Sequence, residues 1–296
     1  MDIFIDGLKN GLAMGSIYAL MALGYSMVYG IVKMINFAHS EFITIGGFTA
    51  YVVCIKLFKI PEGTSEIQPV WMLIISLLIA IIVAVIIGLI TERFAYRPLR
   101  KKGSSRITAL ITAIGVSYII VGIINAIWPN TVVFPNFFTK NQTFIISIIV
   151  TVILMLGLTL FVTKTKMGIA MRAVSENEQA SQLMGINNNF IICMTFFIGS
   201  ALAAIGAILF ILRAPNFKFN LGSDVIGLYP FVAAVIGGIG SLPGAVIGGF
   251  LIGIISELAA VYGMAKWVTA FVYGIFIIIL LFKPAGLLGK DVREKV

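Results

Sequence analysis

Nine apolar runs, most of them long enough to cross a bilayer, leave this chain very little choice of fold. They are Gly11–Val32, Phe37–Ile55, Val70–Ile90, Ile107–Trp128, Phe144–Thr163, Phe190–Leu212, Val225–Ile239, Ala245–Val261 and Trp267–Phe282. A span takes about 20 apolar residues, so a chain of this length holds roughly eight or nine of them. With 60% hydrophobic and only 11% charged residues, the chain cannot coat a water-facing exterior. Hydrocarbon obliges every backbone N–H and C=O to pair internally, and these runs lack the alternation of barrel strands. The expectation is therefore all-α: one integral domain over residues 1–296, folded as a polytopic transmembrane bundle of eight or nine membrane segments. Asp2 and Asp6 outweigh Lys9 ahead of the first run, which lacks the basic start of a cleavable signal and reads as a retained span.

Charge sets the expected orientation, because Lys and Arg in short loops favour the cytoplasm. The 91–106 loop carries Arg93, Arg97, Arg100, Lys101, Lys102 and Arg106. Placed inside with Lys33, the 164–189 insert and the C-terminal tail, it gives that side fourteen of the 21 basic residues. The result is N-out and C-in, with Trp71, Trp128 and Trp267 all at the outer interface, where amphipathic rings settle. The +9 net charge is thus sorted by side, a membrane pattern with no sign of nucleic-acid binding. Small residues recur every four positions at Gly11/Gly15, Ala80/Ala84/Gly88, Gly199/Ala203/Ala207 and Gly240/Gly244/Gly248, the spacing of close helix packing in lipid.

Two places break the regularity. Val225–Ile239 is short and runs into glycines and Pro243 at 237–249. That stretch fits either a tight turn between crossings or a re-entrant pair within 225–261, and both leave an odd number of crossings. At Lys33–Gly47, Asn36, His39 and Glu41 enter the second apolar run. Asn36 is expected to cap the second helix, with His39 and Glu41 in its first turn near the cytoplasmic interface. There Glu41 suits the positive end of the helix dipole. Ionisable groups within a span are candidates for function, here as a gate, a substrate contact or a proton relay. Asp224 and Glu257 are expected near the outer ends of their spans. One histidine and the separated Cys54 and Cys193, expected toward opposite faces, supply neither a metal cluster nor a disulfide.

The least apolar interior segment is Lys164–Asn189, KTKMGIAMRAVSENEQASQLMGINNN. Ser175-Glu-Asn-Glu178 fits a capping box with Ser175 as N-cap, and Gly185 fits the C′ position. The expected helix, Glu176 to Met184, spans about 13–14 Å. It shows a small apolar face of Ala180, Leu183 and Met184, against polar Glu176, Asn177 and Gln179. So short a helix is marginal in water and calls for partner contacts.

Taken in order, NFAHSEFITIGGF (36–48), GIAMRAVSENEQASQLMGIN (168–187) and GGIGSLPGAVIGG (237–249) resemble bacterial branched-chain amino acid ABC permeases of the H type. The resemblance covers nearly the whole chain. The insert is similar to the coupling loop whose short helix sits in a groove of the ATPase subunit. Gln179-Ala180-Ser181 with Gly185 follows the Glu-Ala-Ala-x-x-x-Gly pattern, departing from it at Gln179 and Ser181. Ser40 stands where the family usually has glycine. The resemblance implies a multi-pass protein of the bacterial cytoplasmic membrane that imports leucine, isoleucine and valine. It also implies a homologous M-type permease partner, two cytoplasmic ATPases and an extracytoplasmic amino-acid-binding protein. Ser175, Glu178, Gln179, Ala180, Leu183, Met184 and Gly185 are then the coupling residues. Asn36, His39, Glu41, Gly237, Gly238, Gly240 and Gly244 are candidates for the path or gate. No G-x-x-x-x-G-K-[ST] loop occurs, so ATP and Mg belong to the partner ATPases, and this chain is expected to be neither an enzyme nor a cofactor carrier. The alternative is a stand-alone proton-coupled carrier using His39 and Glu41, with the 237–249 break as its site. The apolar spans do not separate branched-chain amino acids from urea or short amides.

Overall fold

The computed structural model describes residues 2–34, 36–64 and 66–289, apart from the side chains of Asp2, Arg106 and Val225. Lys290, Arg293 and Lys295 of the basic tail lie outside the described residues. The long helices are α1 (Asp2–Val32), α2 (His39–Val52), α3 (Val70–Thr91), α5 (Arg106–Ile127), α6 (Lys140–Lys164), α9 (Asn188–Arg213) and α11 (Leu242–Ala259). Shorter are α4 (Arg97–Lys101), α7 (Lys166–Glu176), α8 (Glu178–Leu183), α10 (Val225–Gly237) and α12 (Val268–Phe282). Single π-turns extend α2 (Val53–Leu57), α3 (Glu92–Tyr96) and α11 (Ala260–Met264). Among the described residues, seven helical stretches are long and apolar enough to cross a bilayer, and the chain is a polytopic helical membrane protein. The last stretch, Leu242–Phe282, bends at Tyr262 and at Gly263 (φ +78°), which separates α11 from α12.

The helices run between two poles. At the amino pole, where α1 begins, the strand pair β1 (Val132–Val133) and β2 (Asn216–Phe217) joins two connections antiparallel. There too, Arg213 donates to Asn10 Oδ1 at 2.9 Å, and the Gln68 amide donates to the Asn136 carbonyl at 2.8 Å. The insert pole gathers α4, α7, α8, the turn after α10 and the end of α12. The Leu287 amide closes α12 onto the Ile236 carbonyl at 2.8 Å. Trp71, Trp128 and Trp267 all fall at amino-pole ends of helices.

The four-residue rows make the core seams. α11 runs antiparallel to α1 along much of its length, so that Gly7 faces Leu258, Gly11 faces Ile254, Gly15 faces Phe250 and Ala19 faces Gly249. A Cβ at Gly11 would lie 2.7 Å from Ile254 Cα, and one at Gly15 would lie 2.8 Å from Phe250 Cα. Only glycine permits that approach, and in lipid such packing takes the place of hydrophobic drive. Buried hydroxyls bond back to their own helices, as with Ser76 to Met72, Thr91 to Ile87 and Ser200 to Phe196, which meets the demand for internal pairing. Cys54 and Cys193 are free, near opposite poles.

The 213–237 stretch is where the simple picture of spans needs correcting. From β2 the chain descends along α2 without helix: Phe217 packs on Tyr51 and Phe48, Leu221 meets Gly47, and the Gly222 amide donates to Thr44 Oγ1 at 2.7 Å. α10 starts only there, level with the first turn of α2, and its thirteen residues reach the insert pole. Asp224 therefore stands partway down the bundle at the head of α10. Its expected place at an outer span end is corrected accordingly.

Candidate functional site

The insert folds as two helices. Ser175 stays inside α7, and its Oγ donates back to the Arg172 carbonyl at 2.8 Å. The expected Ser175 cap is therefore corrected to Asn177, in extended conformation (φ −153°, ψ 110°), whose Oδ1 accepts the Ala180 amide at 2.9 Å. Two capping-type residues compete within three positions, and α8 starts at the second. Its six residues end at Gly185 (φ +82°), with the Ile186 amide on the Ser181 carbonyl and the Gly185 amide on the Gln182 carbonyl. That is a Schellman closure, as glycine at C′ predicts. The buried Ser181 donates to Asn188 Oδ1 at 3.0 Å, and Asn188 Nδ2 donates to the Glu178 carbonyl at 2.6 Å, tying α8 to the start of α9. Glu178, Gln179, Ala180, Leu183 and Met184 remain exposed; Leu183 is 89% and Met184 82% accessible.

Behind α8 lies Arg100, on α4. Its guanidinium contacts Glu92 Oε1 at 3.3 Å, Asn189 Oδ1 at 2.9 Å and Glu178 Oε1 at 3.6 Å. Cys193 donates its thiol to Glu92 Oε2 at 3.1 Å. Glu92 opens the π-turn and Tyr96 closes it; both are fully buried. Tyr96 then donates to Asn36 Oδ1 at 2.8 Å. A continuous set of polar contacts thus runs from α8 through Arg100 and the π-turn to the head of α2. The sequence reading missed Arg100, Glu92, Tyr96, Asn188 and Ser117. The one available signal was Glu92, an acid at the edge of an apolar run and beside a basic loop.

At the head of α2, Ala38 holds the cap position with no side-chain bond, and Asn36 is taken up by Tyr96 instead. The expected Asn36 cap is corrected accordingly. His39 and Glu41 do occupy the first turn, yet both are fully buried. Their expected place near the interface is also corrected: Glu41 Oε1 accepts from Ser117, at the middle of α5, at 2.9 Å. Glu41 accepts further from Ser40 at 3.2 Å and from Thr44 at 2.9 Å. The His39 ring sits against Tyr25, 4.4 Å between centroids, and beside Gly24 and Gly199. Asn36 and His39 border a cavity of about 10 Å³ shared with Tyr25 and Phe231. His39 and Glu41 share no hydrogen bond, so the structure offers a relay between them no direct link.

Gly237, Gly238, Gly240 and Gly244 lie at the insert pole. Gly237 meets Gly244 across the α10–α11 turn, Gly240 meets Gly30 of α1, and Gly238 meets Gly286 and Gly289. All are backbone-to-backbone contacts with no room for a Cβ unless neighbours shift. Gly238 (φ +105°) and Gly240 (φ +88°) also need glycine for the turn itself.

A protein family described as branched-chain amino acid transport system / permease component matches residues 7–281. The chain is 38% identical to the high-affinity branched-chain amino acid transport system permease protein BraD of Pseudomonas aeruginosa, over 99% of this chain and 98% of that one. It is 36% identical to the corresponding LivH protein of Escherichia coli K12, with the same coverage. It is 30% identical to a probable branched-chain amino acid transport permease protein LivH of Methanocaldococcus jannaschii, over 97% and 93% of the two chains. No solved structure matches the chain.

Proposed function

The chain belongs to the branched-chain amino acid transport permease family, and on that premise we propose that it is the membrane subunit of an ATP-driven importer for leucine, isoleucine and valine. The insert pole faces the cytoplasm and the amino pole faces outward, in the bacterial cytoplasmic membrane. A homologous permease completes the membrane unit, two ATPases carry ATP and Mg, and an extracytoplasmic binding protein delivers the amino acid. α8 is the docking helix, with Gln179, Ala180, Leu183, Met184 and the Gly185 turn against the ATPase.

One observation carries this reading. α8 is capped at both ends and anchored by Asn188 and Arg100, while Leu183 and Met184 stay uncovered. Adjacent large apolar side chains held out from a polar pole suit a partner surface. Movement of α8 would pull on Arg100, then on the Glu92–Tyr96 turn, then through Asn36 on the head of α2. Asn36, His39 and Glu41 would thereby be gated from the cytoplasm, as in a bistable bundle.

The test is Leu183→Glu, alongside Gly185→Trp, in the assembled importer. Leu183→Glu is expected to fold with unchanged melting, while Gly185→Trp also strains the left-handed turn that ends α8. Both are expected to lose the ATPases on purification, together with leucine uptake. If the ATPases stay bound and uptake persists, α8 is not the coupling helix.

A further inference from the structure

Resting on the permease reading, we propose that Glu41, with Ser40, Thr44 and Ser117, receives the α-ammonium of the transported amino acid, whose aliphatic side chain lies in an adjoining apolar trough. Every hydrogen bond to Glu41 comes from a hydroxyl, and no cation stands within ion-pair distance of it among the described residues. A buried carboxylate held this way keeps acceptor capacity and a need for positive charge. An ammonium group supplies both a charge and donors.

The trough holds about 470 Å³ between α2, α3 and α5, within the usual range of small-ligand sites. Its walls include Ile45 and Val52 of α2, Val83 of α3, and Ile120, Ile124 and Trp128 at the end of α5. Ile45 lies one helical turn beyond Glu41, and Ile120 one turn beyond Ser117. Ser40, Glu41, Thr44 and Ser117 do not line the trough itself. The Glu41–Ser117 pair lies about one helical turn beyond its end, halfway along the bundle, with Trp128 at the amino-pole end. Charge at one end and branched aliphatic walls beyond it match a primary amine bearing a branched hydrocarbon chain. Urea and neutral amides bring no charge to Glu41. A lipid acyl chain would fit the walls, but it brings no charge to set against Glu41.

The test uses the complete importer, with its partner permease, ATPases and binding protein, in proteoliposomes. A diazirine analogue of leucine is photoactivated during turnover and its adducts are mapped by mass spectrometry. Adducts are expected within 45–52 and 120–128, suppressed by excess leucine. Glu41→Gln is expected to cut labelling and leucine uptake at least tenfold while the complex still assembles. Should that variant fail to assemble, Ile120→Trp fills the trough and is expected to give a similar loss of uptake. Wild-type leucine uptake combined with adducts elsewhere, with full uptake by Glu41→Gln or Ile120→Trp, or with a photoactive lipid in the trough that leucine does not displace, overturns the proposal. A wild-type complex importing no branched-chain amino acid overturns the permease reading itself, a separate result.

Discussion

Glu92 and Glu41 are both fully buried, and yet they are satisfied in opposite ways. Glu92 has a counter-charge inside the chain: Arg100 at 3.3 Å, with the Cys193 thiol on its other oxygen. Arg100 in turn reaches Asn189 and Glu178, so the charge pair also fastens α4, α8 and α9 together. Among the described residues, the Glu41 carboxylate has hydroxyl donors alone, drawn from α2 and from the middle of α5. Thr44 further links it to the descending chain through the Gly222 amide. Burial by itself does not say what a carboxylate is for; the complement around it does. One acid completes a joint, and the other leaves room in its chemistry for a cation that arrives from outside.

The largest expected effect tests the joint. Arg100→Ala leaves Glu92 buried without its counter-charge, a cost of about 3–5 kcal/mol, read as a large drop in melting temperature of the purified protein. Removing both charges together, Glu92→Leu with Arg100→Met, should restore most of that loss. A single variant that melts like wild type would make the pair incidental.

Glu41→Gln should behave in the reverse sense. Its amide oxygen can still accept from Ser40 and Ser117, and its NH2 can donate to the Thr44 hydroxyl, so stability is expected to stay within about 1 kcal/mol while uptake falls tenfold. Loss of stability with normal uptake by the surviving protein would make the two carboxylates equivalent and erase the contrast.

Smaller effects sharpen the same division. Ser117→Ala and Cys193→Val each remove one donor, and each should cost about 1 kcal/mol in thermal unfolding. Ser117→Ala should in addition lower leucine uptake, because it also loosens the carboxylate proposed to meet the substrate. The smallest change is at the docking helix. Asn177→Ala removes a cap and should weaken α8 by about 1 kcal/mol, seen as faster amide exchange over 178–184 without a shift in global melting. Ser175→Ala should leave that exchange unchanged, which distinguishes the observed cap from the expected one.

Much of this protein was legible in its sequence because the relevant forces act locally or along one axis. The length of an apolar run answers directly to bilayer thickness, so α3, α5, α6 and α9 lie close to where the composition placed them. Gly185 was readable as a helix end because a left-handed residue with no Cβ penalty closes a helix in the same way everywhere. The Gly11/Gly15 row marks a close-packing face on α1, since helical period alone puts those residues together; that α11 fills it was decided by the fold.

Tertiary structure decided what depends on neighbours distant in the chain. Ser175 and Asn177 are both capping residues, and the start of α8 coincides with the grip of Asn188 on the Glu178 carbonyl, ten residues away. Asn36 would suit a local cap, but Tyr96, sixty residues on, takes its oxygen. The depth of Glu41 follows from an unwound approach to α10 and a hydroxyl 76 residues distant. The sequence by itself marked the long apolar helices and the glycine end of α8, because hydropathy and backbone conformation are properties of adjacent residues. Which buried charge is complete and which is left waiting was settled only when the bundle closed, because a charge is satisfied by whatever the fold brings within about 3 Å of it.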